Sequence, residues 1–212
     1  MNQHTSDTSA LETDTLANTV CNHDPYDYVI VPSFVKARAL PEIHRSYPKI
    51  EKPGSFPNQS LDFGLAFASL LQELQGPAMR AAIEKVFDID LTACPNTLTV
   101  RGQCQIKDGR IHPDSKEKII TVLVYMNPTW EESGGRLRVL RSANDLENYA
   151  AEVPPAEGTL FAFRRCDYSW HGHKPFVGQR RVLQLNWVTN NRFARRENER
   201  HALSAFFKRF RK

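Results

Sequence analysis

Residues 108–140 read DGRIHPDSKEKIITVLVYMNPTWEESGGRLRVL, and the run inside them, 119–126 (IITVLVYM), decides the kind of fold. It is strongly β-branched and apolar at both parities, which suits a strand buried on both faces. Its surroundings share that texture. Residues 98–106 and 136–140 read as strands, with a turn at 107–110 and a loop at 127–135. Residues 158–164 and 181–188 read as two more strands, and the polar, acidic stretch 142–152 as a loop or helical turn. Upstream, 26–34 (YDYVIVPSF) alternates aromatic and aliphatic residues and reads as a first strand. Residues 35–46 read as a short helix interrupted by Pro41, and 52–60 as a loop. Leu61, Leu65, Ala68 and Leu71 recur at helical spacing over 61–74, Gly76-Pro77 ends that helix, and 78–87 reads as a second. Both helices are expected to pack on a sheet and to do no chemistry. Many short strands separated by turn residues indicate a sandwich or barrel.

Within the same stretch stands His112-Pro113-Asp114, and His171 follows 57 positions later. In extended chain, residues two apart point the same way, so His112 and Asp114 can aim at one ion while Pro113 points away. A third ligand from a distant strand requires a folded sheet scaffold. Two imidazoles and a carboxylate, with no thiolate, favour Fe(II), Mn(II) or Zn(II) over a cysteine-type structural zinc site. Such a set occupies one face of the ion and leaves the other open. His173 competes with His171, since it lies two residues on and shares its strand face. His4, His23, His44 and His201 fall outside this constellation and read as solvated.

A second stretch, 154–188, reads PPAEGTLFAFRRCDYSWHGHKPFVGQRRVLQLNWV. Together the two stretches resemble the 2-oxoglutarate- and Fe(II)-dependent oxygenases, in particular their prolyl 4-hydroxylase-like branch. The resemblance rests on HxD, the YMN-x-x-W strand end, the S-G-G-x-L-R turn, G-T-L-F-A-F, S-W-H, and an arginine before a strand ending in Trp187. It covers roughly 95–190. With the strand pattern it implies a mainly β (α+β) fold, a double-stranded β-helix jelly roll with flanking N-terminal helices; a basic C-terminal helix is expected separately from the spacing of the tail. The resemblance implies His112, Asp114 and His171 as catalytic metal ligands, with the S-W-H context favouring His171 over His173. It also implies Fe(II) as cofactor, 2-oxoglutarate and O₂ as co-substrates, and ascorbate as a further candidate.

The last strand of such enzymes carries a residue that pairs with the distal carboxylate of 2-oxoglutarate. Arginine suits that task because its planar fork bonds a carboxylate at two points. Arg181 is placed first, because its distance to Trp187 matches the family and the two share a strand face with Leu183 and Leu185. Arg180 is its rival. Tyr125 matches a position whose hydroxyl touches the co-substrate, Leu137 one that packs against it, and Trp187 one close by. Thr121 and Leu123 share the face of Tyr125. Where relatives carry a tyrosine before HxD, this chain has Gln103 or Gln105. The reaction implied is hydroxylation of a peptidyl proline or related small molecule with release of succinate and CO₂. The alternatives are a jelly-roll binding module without redox turnover and a cupin-like metal enzyme that does not use 2-oxoglutarate.

Length and composition set the remaining bounds. A chain of 212 residues suits one domain with appendages: a disordered leader over 1–24, rich in Thr, Ser, Asn and Asp, an oxygenase domain over 25–191, and a basic tail over 192–212. No run of 18 apolar residues occurs, and the N-terminal residues lack the basic and apolar regions of a secretory signal. Cys21, Cys94, Cys104 and Cys166 show no CxxC spacing and read as reduced thiols of a cytoplasmic protein. Residues 192–212 carry +6 of a chain total of +4, leaving the body at −2. Leu203, Phe206, Phe207 and Phe210 recur there at helical spacing among the charges, so an amphipathic helix is expected, against an anionic membrane, an acidic partner or the protein's own domain. Nucleic acid is not expected, because the aromatics gather on one side.

Overall fold

A computed structural model describes residues 8–197 and 199–200 of the chain. The helices α1 (Thr13–Ala17), α2 (Leu40–Arg45), α3 (Leu65–Leu74) and α4 (Pro77–Phe87) stand before or between the first strands. The strands are β1 (Tyr28–Val31), β2 (Phe56–Pro57), β3 (Asn96–Cys104), β4 (Lys118–Tyr125), β5 (Leu137–Leu140), β6 (Tyr149–Val153), β7 (Leu160–Arg164), β8 (His171–Gly172) and β9 (Gly178–Val188). Among the described residues they form a six-stranded antiparallel sheet, in the order β1-β7-β4-β9-β3-β2, and a three-stranded one, β6-β5-β8. The expected jelly roll is thus observed as two antiparallel sheets with helices on one side.

Alternation along the strands of the larger sheet builds two cores. Ile120, Val122 and Val124 of β4, Leu183, Leu185 and Trp187 of β9, and Leu98 and Val100 of β3 pack with α3 and α4. The opposite parity, Tyr125, Val182, Phe161 and Phe163, packs with Leu137, Val139 and Val153 of the smaller sheet. Burial on both faces explains why β4 has no polar/apolar alternation. The layers run helices, large sheet, small sheet, and the face of the large sheet turned to the small one is called the cavity face.

Several local expectations are corrected. The helical face of α3 is Phe67, Leu70, Leu71 and Leu74, while Leu65 is 87% exposed and Leu61 precedes the helix. Pro41 sits in the first turn of α2, where its missing N–H has no helical partner to lose, so it starts the helix rather than interrupting it. The loop at 52–60 contains β2, and the polar stretch 142–152 contains most of β6. From residue 8 onward the leader is folded. Leu16 is fully buried, Leu11 bridges Val35, α1 packs on α4, and the Ala10 N–H donates to the Glu73 carboxylate at 2.9 Å. A few well-spaced leucines in a polar composition sufficed to dock it. His44 is not solvated: its Nε2 lies 2.6 Å from Glu157.

Residues 191–197 continue as a helix. Leu203, Phe206, Phe207 and Phe210, and with them most of the expected amphipathic face, lie outside the described residues, as do His4 and His201. Among the described residues no helix is long and apolar enough to cross a membrane.

Candidate active site

His112 and His171 are a cross-strand pair. Each backbone N–H donates to the other's carbonyl at 3.1 Å, which sets the imidazole rings side by side with centroids 4.5 Å apart. Asp114, two residues beyond His112, points the same way. Ligand atoms of His112, Asp114 and His171 all lie within 4.8 Å of one another. The Nδ1 of His171 faces the Ser169 carbonyl at 2.9 Å, and that of His112 faces the Arg110 carbonyl at 2.7 Å. A carbonyl only accepts, so each Nδ1 carries the proton and each Nε2 lone pair is left for a metal. Burial pushes His171 down to about 4, against the pull of Asp114, which keeps it neutral.

Asp114 is held from both sides. Lys118 Nζ donates to Oδ1 at 3.0 Å and the Thr121 hydroxyl donates to Oδ2. Burial opposes its charge, but Lys118, His171 and Thr121 outweigh that and hold the carboxyl down at about 2. Each carboxylate oxygen keeps a second lone pair for an ion. The Asn186 side-chain amide lies 3.2 Å from the same hydroxyl and places it against β9. Two imidazoles with Nε2 turned from the backbone carbonyls and an ionised carboxylate, with no thiolate, fit Fe(II).

The far end of the cavity belongs to Arg180. It is 8% exposed, its Nε donates to the Gly135 carbonyl at 2.8 Å, and its Nη2 lies 3.4 Å from the Tyr125 hydroxyl. Gly135 has φ +75, and a Cβ there would meet the Trp130 ring at 2.6 Å, so the S-G-G turn can present that carbonyl only with glycine. Among the described residues Arg180 forms no ion pair with a carboxylate. A buried guanidinium without a counter-ion is costly, and an incoming anion relieves that cost. Thr121 and Tyr125 share one face of β4 and lie about 13 Å apart at 3.3 Å per residue. The triad and Arg180 therefore stand towards opposite ends of one face of the large sheet.

The two arginines weighed for the co-substrate lie on opposite faces of β9, and Arg181, placed first, is not on the face of the triad. Arg181 lies on the other face of β9, its guanidinium 4.9 Å from the centre of the Tyr47 ring on the helix side. Its backbone N–H donates to the Asn127 side-chain carbonyl at 2.7 Å, which accounts for the asparagine of YMN. Trp187 shares that face and is buried in the helix-side core, away from the cavity. The reason is register: Tyr125 pairs with Val182, so the cavity face of β9 is Arg180, Val182, Gln184 and Asn186. Tyr125 and Leu137 do line the cavity side. His173 stays out of the triad. Its ring packs over Gly109 near Arg180, and burial together with the Arg180 charge pushes it down to about 4.

Lys118, Asn186 and Tyr26 escaped the sequence reading. Tyr26 donates its hydroxyl to the Trp170 carbonyl at 2.9 Å and so secures the segment before His171. Parity counted from Arg180 would have found Asn186; nothing local marked the other two.

Comparison with known proteins places this geometry. Residues 103–189 match the model of the 2OG-Fe(II) oxygenase superfamily. No curated protein matches the sequence. Among solved structures, a prolyl-4-hydroxylase of Pseudomonas putida superposes with a TM-score of 0.55 at 18% identity, over 87% of this chain and 99% of that one. A prolyl hydroxylase of Trichoplax adhaerens, in complex with a hypoxia inducible factor oxygen degradation domain peptide fragment, gives 0.54 at 14%, over 88% and 91%. HygX of Streptomyces hygroscopicus, with nickel and 2-oxoglutarate bound, gives 0.52 at 11%, over 77% and 83%. At such identities the likeness is one of fold. The matched residues are those that hold the converging triad and the buried arginine, so residues 103–189 are similar to the 2OG-Fe(II) oxygenase superfamily and the chain has a prolyl 4-hydroxylase-like fold.

Proposed function

We propose that this 2-oxoglutarate-dependent Fe(II) dioxygenase hydroxylates a prolyl residue of a peptide, or a related small molecule, and that Arg180 rather than Arg181 grips the distal carboxylate of 2-oxoglutarate. The observation that carries the reading is the buried Arg180 guanidinium. It lacks a carboxylate partner among the described residues and stands on the same sheet face as the residues holding Asp114.

In this reading His112 and His171 offer Nε2 and Asp114 an oxygen to Fe(II), while Lys118 and Thr121 keep that carboxylate ionised and aimed. When bound, Fe(II) and 2-oxoglutarate supply oxidative decarboxylation to succinate and CO₂ and the hydroxylation of a substrate C–H. Arg180 and the Tyr125 hydroxyl orient the co-substrate's far end. Leu137, Val182, Phe161 and Phe163 keep water from its chain. The triad meets solvent at His112, which is exposed while Asp114 and His171 are buried, so substrate enters on that side. Tyr168, 59% exposed in the segment leading to His171, offers an aromatic surface to a saturated ring. The prolyl class is further supported by the prolyl hydroxylase neighbours, one of them solved with a peptide.

The test is an anaerobic Fe(II) and 2-oxoglutarate titration followed by a substrate screen read as succinate release. Peptidyl-proline substrates are expected to raise succinate above the uncoupled level and to gain one oxygen by mass. A screen in which only non-peptide substrates are oxidised would overturn the prolyl assignment. Metal binding without any 2-oxoglutarate dependence would overturn the co-substrate site.

A further inference from the structure

One other group of side chains among the described residues brings three metal-ligating atoms within 4.8 Å of one another: Cys21, His23 and Asp27. The chain folds back on itself here. Asn22 and Tyr28 exchange both backbone hydrogen bonds at 2.9 Å, forming a small hairpin ahead of β1. In that register His23 lies opposite Asp27. Alternation along the chain then sets Cys21, two residues before His23, on the same face as both. His23 Nδ1 stands 2.8 Å from Asp27 Oδ1, while Arg164 approaches the other oxygen at 3.9 Å. The Cys21 sulfur lies 3.5 Å from the Asn22 carbonyl.

We propose that Cys21, His23 and Asp27 form a second metal site, separate from the triad, that takes Zn(II) through one sulfur, one nitrogen and one oxygen. The donor set argues for the metal. A thiolate selects zinc over the harder ions that suit carboxylate and imidazole alone, and three protein ligands leave a fourth position to water. Zinc bonds of about 2.0–2.3 Å require donors roughly 3.5 Å apart, so the His23–Asp27 contact of 2.8 Å opens and the wider separations, within 4.8 Å, close on binding. The His23 side chain, 76% exposed, can make that movement. Binding of the ion releases the Cys21 proton as the S–Zn bond forms. The hairpin also carries Tyr26, which bonds the Trp170 carbonyl beside His171. Zinc there braces the segment that presents a triad ligand and takes no part in turnover.

Cobalt titration of the full-length protein tests this, because the triad has no sulfur. A thiolate-to-cobalt charge-transfer band can therefore come from the hairpin and not from the triad. The wild type is expected to develop that band with one equivalent, and Zn(II) to abolish it. His112→Ala should retain it and Cys21→Ala should lose it. His23→Ala, which removes an exposed side chain and spares the core, should raise the half-saturating cobalt concentration about tenfold or more. A wild type without the band, or a band that survives Cys21→Ala, overturns the proposal.

Discussion

Arg180 and Arg181 are neighbours in the chain and opposites in the molecule. Arg180 points between the two sheets, is nearly buried, and has a backbone carbonyl and a phenol for company. Arg181 points to the helix side, half-buried over Tyr47. The two faces of β9 repeat the contrast along its length. Val182, Gln184 and Asn186 line the cavity or tie its residues together, while Leu183, Leu185 and Trp187 only fill space under α3 and α4. A single strand thus turns one parity to the triad and the other to the helix-side core, and a shift of one residue exchanges the faces.

That contrast can be broken experimentally, beginning with its largest consequence. His171→Ala, His112→Ala or Asp114→Ala should reduce 2-oxoglutarate-dependent succinate formation to background while leaving thermal unfolding cooperative. Trp187→Ala, on the packing face, should cost about 3–5 kcal/mol of stability, read by denaturant unfolding, with co-substrate affinity preserved in the folded fraction. Arg180→Ala should raise the Kd for 2-oxoglutarate about a hundredfold, near 2.7 kcal/mol, measured by anaerobic titration. Thr121→Val removes the hydroxyl that aims Asp114 and should weaken Fe(II) binding about tenfold. Arg181→Ala should change the 2-oxoglutarate Kd by less than about threefold, within the scatter of exposed substitutions. If Arg181→Ala proved the more damaging of the two arginine variants, the assignment of faces would be wrong.

Much of the site was legible because its chemistry is spelled locally. His112 and Asp114 lie two apart in extended chain, and few donor sets other than two imidazoles and a carboxylate leave an ion half open. The run 119–126 announced a doubly buried strand by its β-branching. The arginine was not legible, because deciding between adjacent positions needs the pairing register, and register depends on the partner strand. Tyr125 opposite Val182 settles it, and that pairing joins residues far apart in the chain. β6 hid in a polar stretch because it sits in the small sheet with most of its side chains partly exposed. The leader misled for the complementary reason. Its composition is that of a disordered segment, but Leu11 and Leu16 meet a surface that exists only once β1, α3 and α4 have assembled.

The amino-acid sequence by itself determined the donor set, the strand-rich scaffold and the helices that cover it, since these follow from side-chain chemistry and short-range periodicity. Tertiary structure alone decided which arginine faces the cavity, that Lys118, Thr121 and Asn186 hold the aspartate in place, and that Cys21, His23 and Asp27 meet in one hairpin. Each of those depends on which strand lies beside which and in what register, and such pairings form between segments that carry no local mark of one another.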